Sequence, residues 1–209
     1  MYTSNRVKAA PVQVCMDHVG RGAIQAIAVV SGNANACTGE QGLADGYAIT
    51  EILGRELGID PKAVAYASTG VIGVRLPMDK VIPGVIDAAK HLSPRGGRAA
   101  AEAIMTTDTF AKECAVRVTI GGKLVTIGGM AKGSGMIHPN MATMLCFVAT
   151  DAMIERPLLQ MALRDVADKT FNCITVDGDT STNDMVIAMA NGLAGNDRIR
   201  ELGEDYARF

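Results

Sequence analysis

Short apolar runs, separated by glycine-rich or polar segments, organise this sequence. Residues 23–30 (AIQAIAVV) are apolar apart from one glutamine and predict a buried strand. They lead into residues 31–39 (SGNANACTG), small residues and turn formers, and then into a helix near residues 41–57. Residues 64–67 predict a second, short strand ending at Ser68-Thr69-Gly70. Residues 78–92 predict a helix broken at Pro83, because proline lacks the N–H and its ring crowds the preceding turn. Residues 97–105 predict another helix, stopped by Thr106-Thr107-Asp108. Residues 114–120 and 123–127 alternate apolar and polar positions. Gly121-Gly122 between them favours a two-residue hairpin turn, since glycine accepts positive φ. Residues 143–149 predict another buried strand, and Leu158, Leu159, Met161, Leu163, Val166 and Ala167 trace a helical stripe within residues 158–171. Residues 174–176 predict a strand, residues 177–184 (DGDTSTND) a polar loop, and residues 185–190 a short apolar segment. Helices and strands alternate in part and cluster in part, which predicts an α/β class with mixed sheet pairing.

Composition narrows the setting. At 209 residues, with 48% hydrophobic and 20% charged, the chain is an ordinary folded protein of one domain or two small ones. Twenty-three glycines against 4% aromatics predict close backbone approaches, with the 12 methionines filling the gaps. A net charge of −2 without a basic stripe argues against a nucleic-acid partner. No apolar stretch approaches the roughly 20 residues of a membrane span, and the N-terminus has no signal-peptide core. The five cysteines are scattered, odd in number and without CxxC spacing, and four of them sit among apolar residues. Reduced packing thiols in a cytoplasmic protein are the expectation. Both ends of the sequence read like the interior of a fold, so a fragment is expected.

Chemistry concentrates in residues 132–145, KGSGMIHPNMATML. Ala142 stands directly before Thr143, after a glycine-rich turn and before an apolar run. If that peptide bond breaks, the new amine lies beside its own hydroxyl and can serve as its general base. The same pattern also reads as a plain turn into a core strand. Thr69-Gly70 at a strand end can offer backbone N–H groups to an oxyanion, or form an ordinary strand-to-loop turn. Gly32, Gly39 and Gly42 do not follow GxGxxG, and no GK[ST] accompanies them, which argues against a phosphate loop. His18, His91 and His138 lack zinc-ligand spacing. Asp177 and Asp179 form a DxD after an apolar run, as in aspartyl-phosphate phosphohydrolases. Only about thirty residues follow it, too few for the lysine and second acidic cluster that such a site needs. Ser181 also stands where that class has threonine, and a hydrogen-bonded polar loop is the alternative.

Six stretches carry a resemblance: TSNRVKAAPV (3–12), SGNANACTG (31–39), STGVIG (68–73), MTTDT (105–109), KGSGMIHPNMATML (132–145) and TVDGDTSTND (175–184). In this order, and across essentially the whole chain, they resemble the ornithine acetyltransferase family, also called bifunctional glutamate N-acetyltransferase/amino-acid acetyltransferase of arginine biosynthesis. The resemblance implies a layered α/β/β/α sandwich with mixed sheets, a scaffold for a self-cleaving N-terminal threonine nucleophile. It implies scission between Ala142 and Thr143, dividing the chain into residues 1–142 and the start of a second portion, 143–209. It implies Thr143 as nucleophile of both scission and acetyl transfer from N-acetylornithine to glutamate. By the same resemblance Thr69 and Gly70 hold the oxyanion, and Thr106, Lys132 and Thr143 bind substrate. An ammonium at Lys132 suits the α-carboxylate of an amino acid. No metal or prosthetic group is implied; some members also take acetyl-CoA as donor, and members assemble as heterotetramers of two cut chain pairs. Members extend beyond both ends of this sequence. Two alternatives stand beside this one: an N-terminal-nucleophile amidohydrolase or aminopeptidase, with water as acceptor, and an inactive truncated fragment.

Overall fold

A computed structural model of the chain describes residues 1–138 and 144–209. Helix α1 (Ala10–Arg21) precedes strand β1 (Ala26–Asn33), and α2 (Gly39–Leu57) crosses over to β2 (Val64–Val71). Helices α3 (Met78–Lys90) and α4 (Gly97–Ala103) follow, then β3 (Lys112–Ile120), β4 (Lys123–Lys132) and β5 (Leu145–Thr150). Helix α5 (Arg156–Lys169) leads on to β6 (Met185–Ala190), and the short α6 (Glu204–Arg208) closes the chain.

The strands form two sheets. β1 and β2 pair in parallel, joined by the α2 crossover that parallel pairing requires. The second sheet runs β3-β4-β5-β6, antiparallel twice and then parallel where α5 makes the crossover. The class is therefore α/β with mixed sheets.

Side-chain alternation sets the layers. β2 is buried from Val64 to Thr69, with no polar face turned to water, as a strand covered on both sides must be. Ala65 and Ala67 point at Leu145 and Phe147 of β5 and Met185 and Ile187 of β6, and the small alanines let the two sheets approach. Val64 and Tyr66 point the other way, onto Ile49 and Leu53 of α2. Cys146 and Val186, on the outer face of the second sheet, meet Leu163 of α5 and Phe171. The order is thus helix, sheet, sheet, helix, the α/β/β/α sandwich. Each large apolar side chain enclosed between layers contributes roughly 1.5–3 kcal/mol.

Several expectations need correction. Residues 10–21 form a helix that the apolar pattern had not singled out. Ala10, Pro11, Val14, Cys15 and His18 lie on its buried face, and proline at its first turn suits a helix start. β1 starts at Ala26 rather than residue 23, and is largely half-buried. Ser68-Thr69-Gly70 lies inside β2, not after it. α3 continues through Pro83 because its partly buried stripe Met78, Val81, Val85 and Ala89 packs on the α2 cluster, while Pro83 itself is exposed. Residues 174–176 are no strand: Ile174 and Val176 are exposed, and the Val176 N–H donates to the Ile137 carbonyl. β5 begins at Leu145; Ala142 and Thr143 lie outside the described residues. All five cysteines are free thiols, Cys15 and Cys146 buried, Cys37, Cys114 and Cys173 exposed, so fewer pack into the core than expected. No helix among the described residues is long and apolar enough to cross a membrane.

Candidate active site

The C-terminal ends of β1, β2 and β4 and the start of β5 and β6 share one rim of the two sheets. Lys132 at the end of β4 pairs with Leu145 at the start of β5, which pairs with Met185 at the start of β6. Gly32 of β1 faces Gly70 of β2. At Gly70, φ is +129°, and an added Cβ would lie 2.5 Å from the Gly32 carbonyl oxygen and 2.6 Å from the Asn33 nitrogen. Glycine is required here twice over, for its conformation and for the approach of the neighbouring backbone. The Asn183 side-chain amide, in the loop before β6, donates to the carbonyls of Ala34 at 2.6 Å and Ser68 at 2.9 Å. One buried amide thus ties the SGNANACTG, STGVIG and TVDGDTSTND stretches together.

Lys132 sits at the middle of this rim. Its Nζ donates to Thr69 Oγ1 at 3.0 Å and to Thr106 Oγ1 at 2.8 Å. The lysine is 5% exposed and Thr69 8%, whereas Thr106 is open to solvent. Asp108 Oδ2 lies 4.0 Å from Lys132 Nζ. The Asp108 carboxylate in turn accepts from Lys112 Nζ at 2.6 Å, from the Gly133 N–H at 2.7 Å and from the Thr106 N–H at 3.4 Å. Burial pushes the Lys132 pKa below the ordinary lysine value; Asp108 and Asp184 resist the shift and Lys112 adds to it. Burial also pushes Asp108 upward, but Lys112 with the two amides outweighs it and holds the carboxyl below its usual value. Thr107 and Ser134 hydroxyls meet at 2.6 Å and close the same corner.

Two carboxylates of TVDGDTSTND hold the chain on either side of residues 139–143. Asp177 accepts from the N–H groups of Met136, Ile137 and Asp179, and these bonds hold its carboxyl below the ordinary range. The Ile137 carbonyl accepts in return from Val176 at 2.9 Å. Asp184 Oδ1 accepts from the Met144 N–H at 3.0 Å.

Of the residues singled out in the sequence, the structure brings Thr69, Thr106 and Lys132 into one hydrogen-bonded group and sets Gly70 beside it. Ala142 and Thr143 are outside the described residues. The DxD pair is no acid–nucleophile arrangement, because the Asp177 carboxylate is committed to backbone amides. His18 is buried on α1 with Nδ1 2.8 Å from the Val64 carbonyl oxygen, a packing role. Among the described residues, no group of three or more His, Cys, Asp or Glu is disposed to hold a metal ion.

The profile of the ArgJ family matches residues 1–209. The chain belongs to the ArgJ family. It is 59% identical to the arginine biosynthesis bifunctional protein ArgJ of Symbiobacterium thermophilum and 53% identical to that of Bacillus subtilis. These matches take in the whole of this chain and about half, 52% and 51%, of the respective relatives. The crystal structure of ArgJ from Bacillus halodurans superposes with a TM-score of 0.63 at 46% identity, over 68% of this chain and 74% of that one. Ornithine acetyltransferase from Mycobacterium tuberculosis, crystallised with ornithine, superposes with a TM-score of 0.57 at 38% identity over the same shares of each chain.

In this ArgJ-family chain, sequence reasoning passed over Asp108, Asn183 and Asp184. Asp108 lies in MTTDT, and Asn183 and Asp184 in TVDGDTSTND. The available signal was chemical: an acidic residue in the short segment after a helix, and a polar Asn-Asp pair directly before an apolar strand, are placed to bind backbone or a neighbouring cation.

Proposed function

We propose that this chain carries the nucleophile and part of the substrate site of an acetyltransferase that moves acetyl from N-acetylornithine to glutamate in arginine biosynthesis. The observation that supports it is the grouping of Lys132, Thr69 and Thr106. Among the described residues, the two acceptors of the buried ammonium are uncharged hydroxyls. An ammonium has three N–H donors, so one is left for an anion such as a substrate α-carboxylate.

In this reading the Thr143 hydroxyl attacks the Ala142 carbonyl, the amide shifts to an ester, and water releases two chains, 1–142 and 143–209. The freed α-amine has an ordinary pKa of about 8, so part of it is neutral near pH 7 and takes the hydroxyl proton. The hydroxyl then attacks the acetyl carbonyl of N-acetylornithine. Thr69 and Gly70 meet the oxyanion, the ornithine amine leaves with the proton, and the acetyl group remains on Thr143. Glutamate attacks that ester through its amine and restores the hydroxyl. Hydrogen-bond donors meet the developing charge, and the reading calls for no prosthetic group. It also carries acetyl-CoA as a second donor, a cytoplasmic setting and an assembly of two cut chain pairs.

The test is incubation of purified protein with acetyl-labelled N-acetylornithine, with and without glutamate, alongside intact-mass measurement. Labelled acetylglutamate formed only with glutamate, and two pieces meeting at Ala142/Thr143, are expected. Thr143→Ala should leave one piece and no transfer. Acetate released equally with and without glutamate would make the chain a hydrolase instead. An uncut parent that transfers nothing would leave the non-catalytic alternative.

A further inference from the structure

Lys132 is an unusual place for a charge. Its ammonium is enclosed, its hydrogen-bond acceptors among the described residues are neutral, and burial favours loss of its proton. Among the described residues, the groups facing it are few. β2 brings Thr69, which is uncharged; the segment between α4 and β3 brings Thr106 and Asp108; β3 brings Lys112; the loop before β6 brings Asp184. Of the two anions, Asp108 stands at salt-bridge distance, its side chain fully shielded from solvent.

Asp108 is itself held from three directions, by Lys112, by the Gly133 N–H and by the Thr106 N–H. Two of these contacts belong to residues adjoining the ammonium site: Gly133 follows Lys132 in the chain, and Thr106 accepts from Lys132. A carboxylate in this position fixes both the charge and the location of the ammonium. We propose that Asp108 is a positioning residue of this site, its carboxylate holding the Lys132 ammonium and the adjoining Gly133 amide in place for an anionic substrate group. The proposal deepens the acetyl-transfer reading and rests on it for the identity of the substrate.

Lys112 opposes Asp108 in this arrangement. It lies on the far side of the carboxylate, 35% exposed, and draws the negative charge away from Lys132. Replacing Asp108 by asparagine and Lys112 by methionine should therefore move Lys132 in opposite directions, which a general loss of packing would not do.

The experiment follows the Lys132 Cε signal by NMR against pH in the full chain labelled at lysine, with the signal assigned by its loss in Lys132→Arg. In D108N the Lys132 midpoint should fall by at least one pH unit, a tenfold change in proton affinity; in K112M it should rise. In the transfer assay, D108N should raise the KM for N-acetylornithine tenfold or more at pH 8, move the alkaline limb of kcat/KM to lower pH, and change kcat less. D108E should restore part of each. Equal midpoints in D108N and parent, or shifts of the same sign in D108N and K112M, would overturn the proposal. If D108N does not fold, K112M decides, and an unchanged midpoint there counts against Asp108. A parent that transfers no acetyl defeats the functional reading, while the titration still decides the role of Asp108.

Discussion

At the scale of single residues, the strongest constraint in the site is the absent side chain of Gly70. Its φ of +129° is strained for any other residue, and the Gly32 backbone occupies the space a Cβ would need. Gly73 has a φ of +81° but nothing within 4 Å of its virtual Cβ. Gly73→Ala should therefore cost only backbone strain, on the order of 1 kcal/mol. Gly70→Ala should cost on the order of 3–5 kcal/mol, because β1 and β2 must also part at their paired ends. Urea unfolding of the two variants checks this, and equal losses would mean the Gly32 backbone yields freely. The need for glycine was only half legible in the sequence. STG at a strand end suggests a turn, but the clash partner sits 38 positions earlier and becomes visible only when the strands pair. The same holds for Lys132. Its bonds to Thr69 and Thr106 span 63 and 26 positions. Asp108 passed as a helix-stopping residue because Lys132 and Gly133 come beside it only in the fold.

At the scale of elements, the apolar pattern served well where it ran long or alternated over several residues, and poorly where it was short. β2, β5 and the β3–β4 hairpin were readable because each carries a clear run or alternation, and Gly121 and Gly122 do adopt positive φ, +54° and +75°. Residues 174–176 looked like a strand from composition alone, since Ile, Thr and Val favour extended backbone. Three residues carry too little apolar surface to recruit a partner strand, and the turn over residues 171–173 leaves them at the surface. α3 shows the reverse, packing overriding a local breaker. The helix keeps its stripe on the α2 cluster although Pro83 can donate no hydrogen bond and crowds the carbonyl four residues earlier. Since Pro83 is exposed and its stripe lies elsewhere, Pro83→Ala should stabilise the protein by about 2 kcal/mol, after allowance for the freer unfolded chain. A thermal melt would read this as a rise of several degrees. A fall would show that the proline holds α3 in a bend that its packing requires.

At the scale of the whole molecule, the site exists because two sheets end at the same rim, and the buried amide of Asn183 holds those ends together. The apolar runs pointed to an α/β class and the family resemblance to the layers, but nothing local says which loops meet. The Asn183 bonds to Ala34 and Ser68 cross 149 and 115 positions. This predicts a difference between two substitutions. Asn183→Ala removes both donors and leaves two buried carbonyls without their partner, at about 2–4 kcal/mol. Asn183→Asp keeps the shape but turns an acceptor toward those carbonyls, so at pH 7 it should destabilise at least as much although it opens no cavity. The sign with pH separates them further. A carboxyl introduced at position 183 is more stable protonated, so its folded pKa lies above its unfolded value. The penalty of N183D is then smallest below the unfolded carboxyl pKa, about 4, and grows as pH rises through the higher folded value. Relative to the parent, N183D should recover stability between pH 7 and pH 4, whereas the deficit of N183A should stay level. Denaturant midpoints across that range decide the matter. Parallel pH profiles for the two variants would mean that side-chain volume, not the shared amide, joins the sheets at this end.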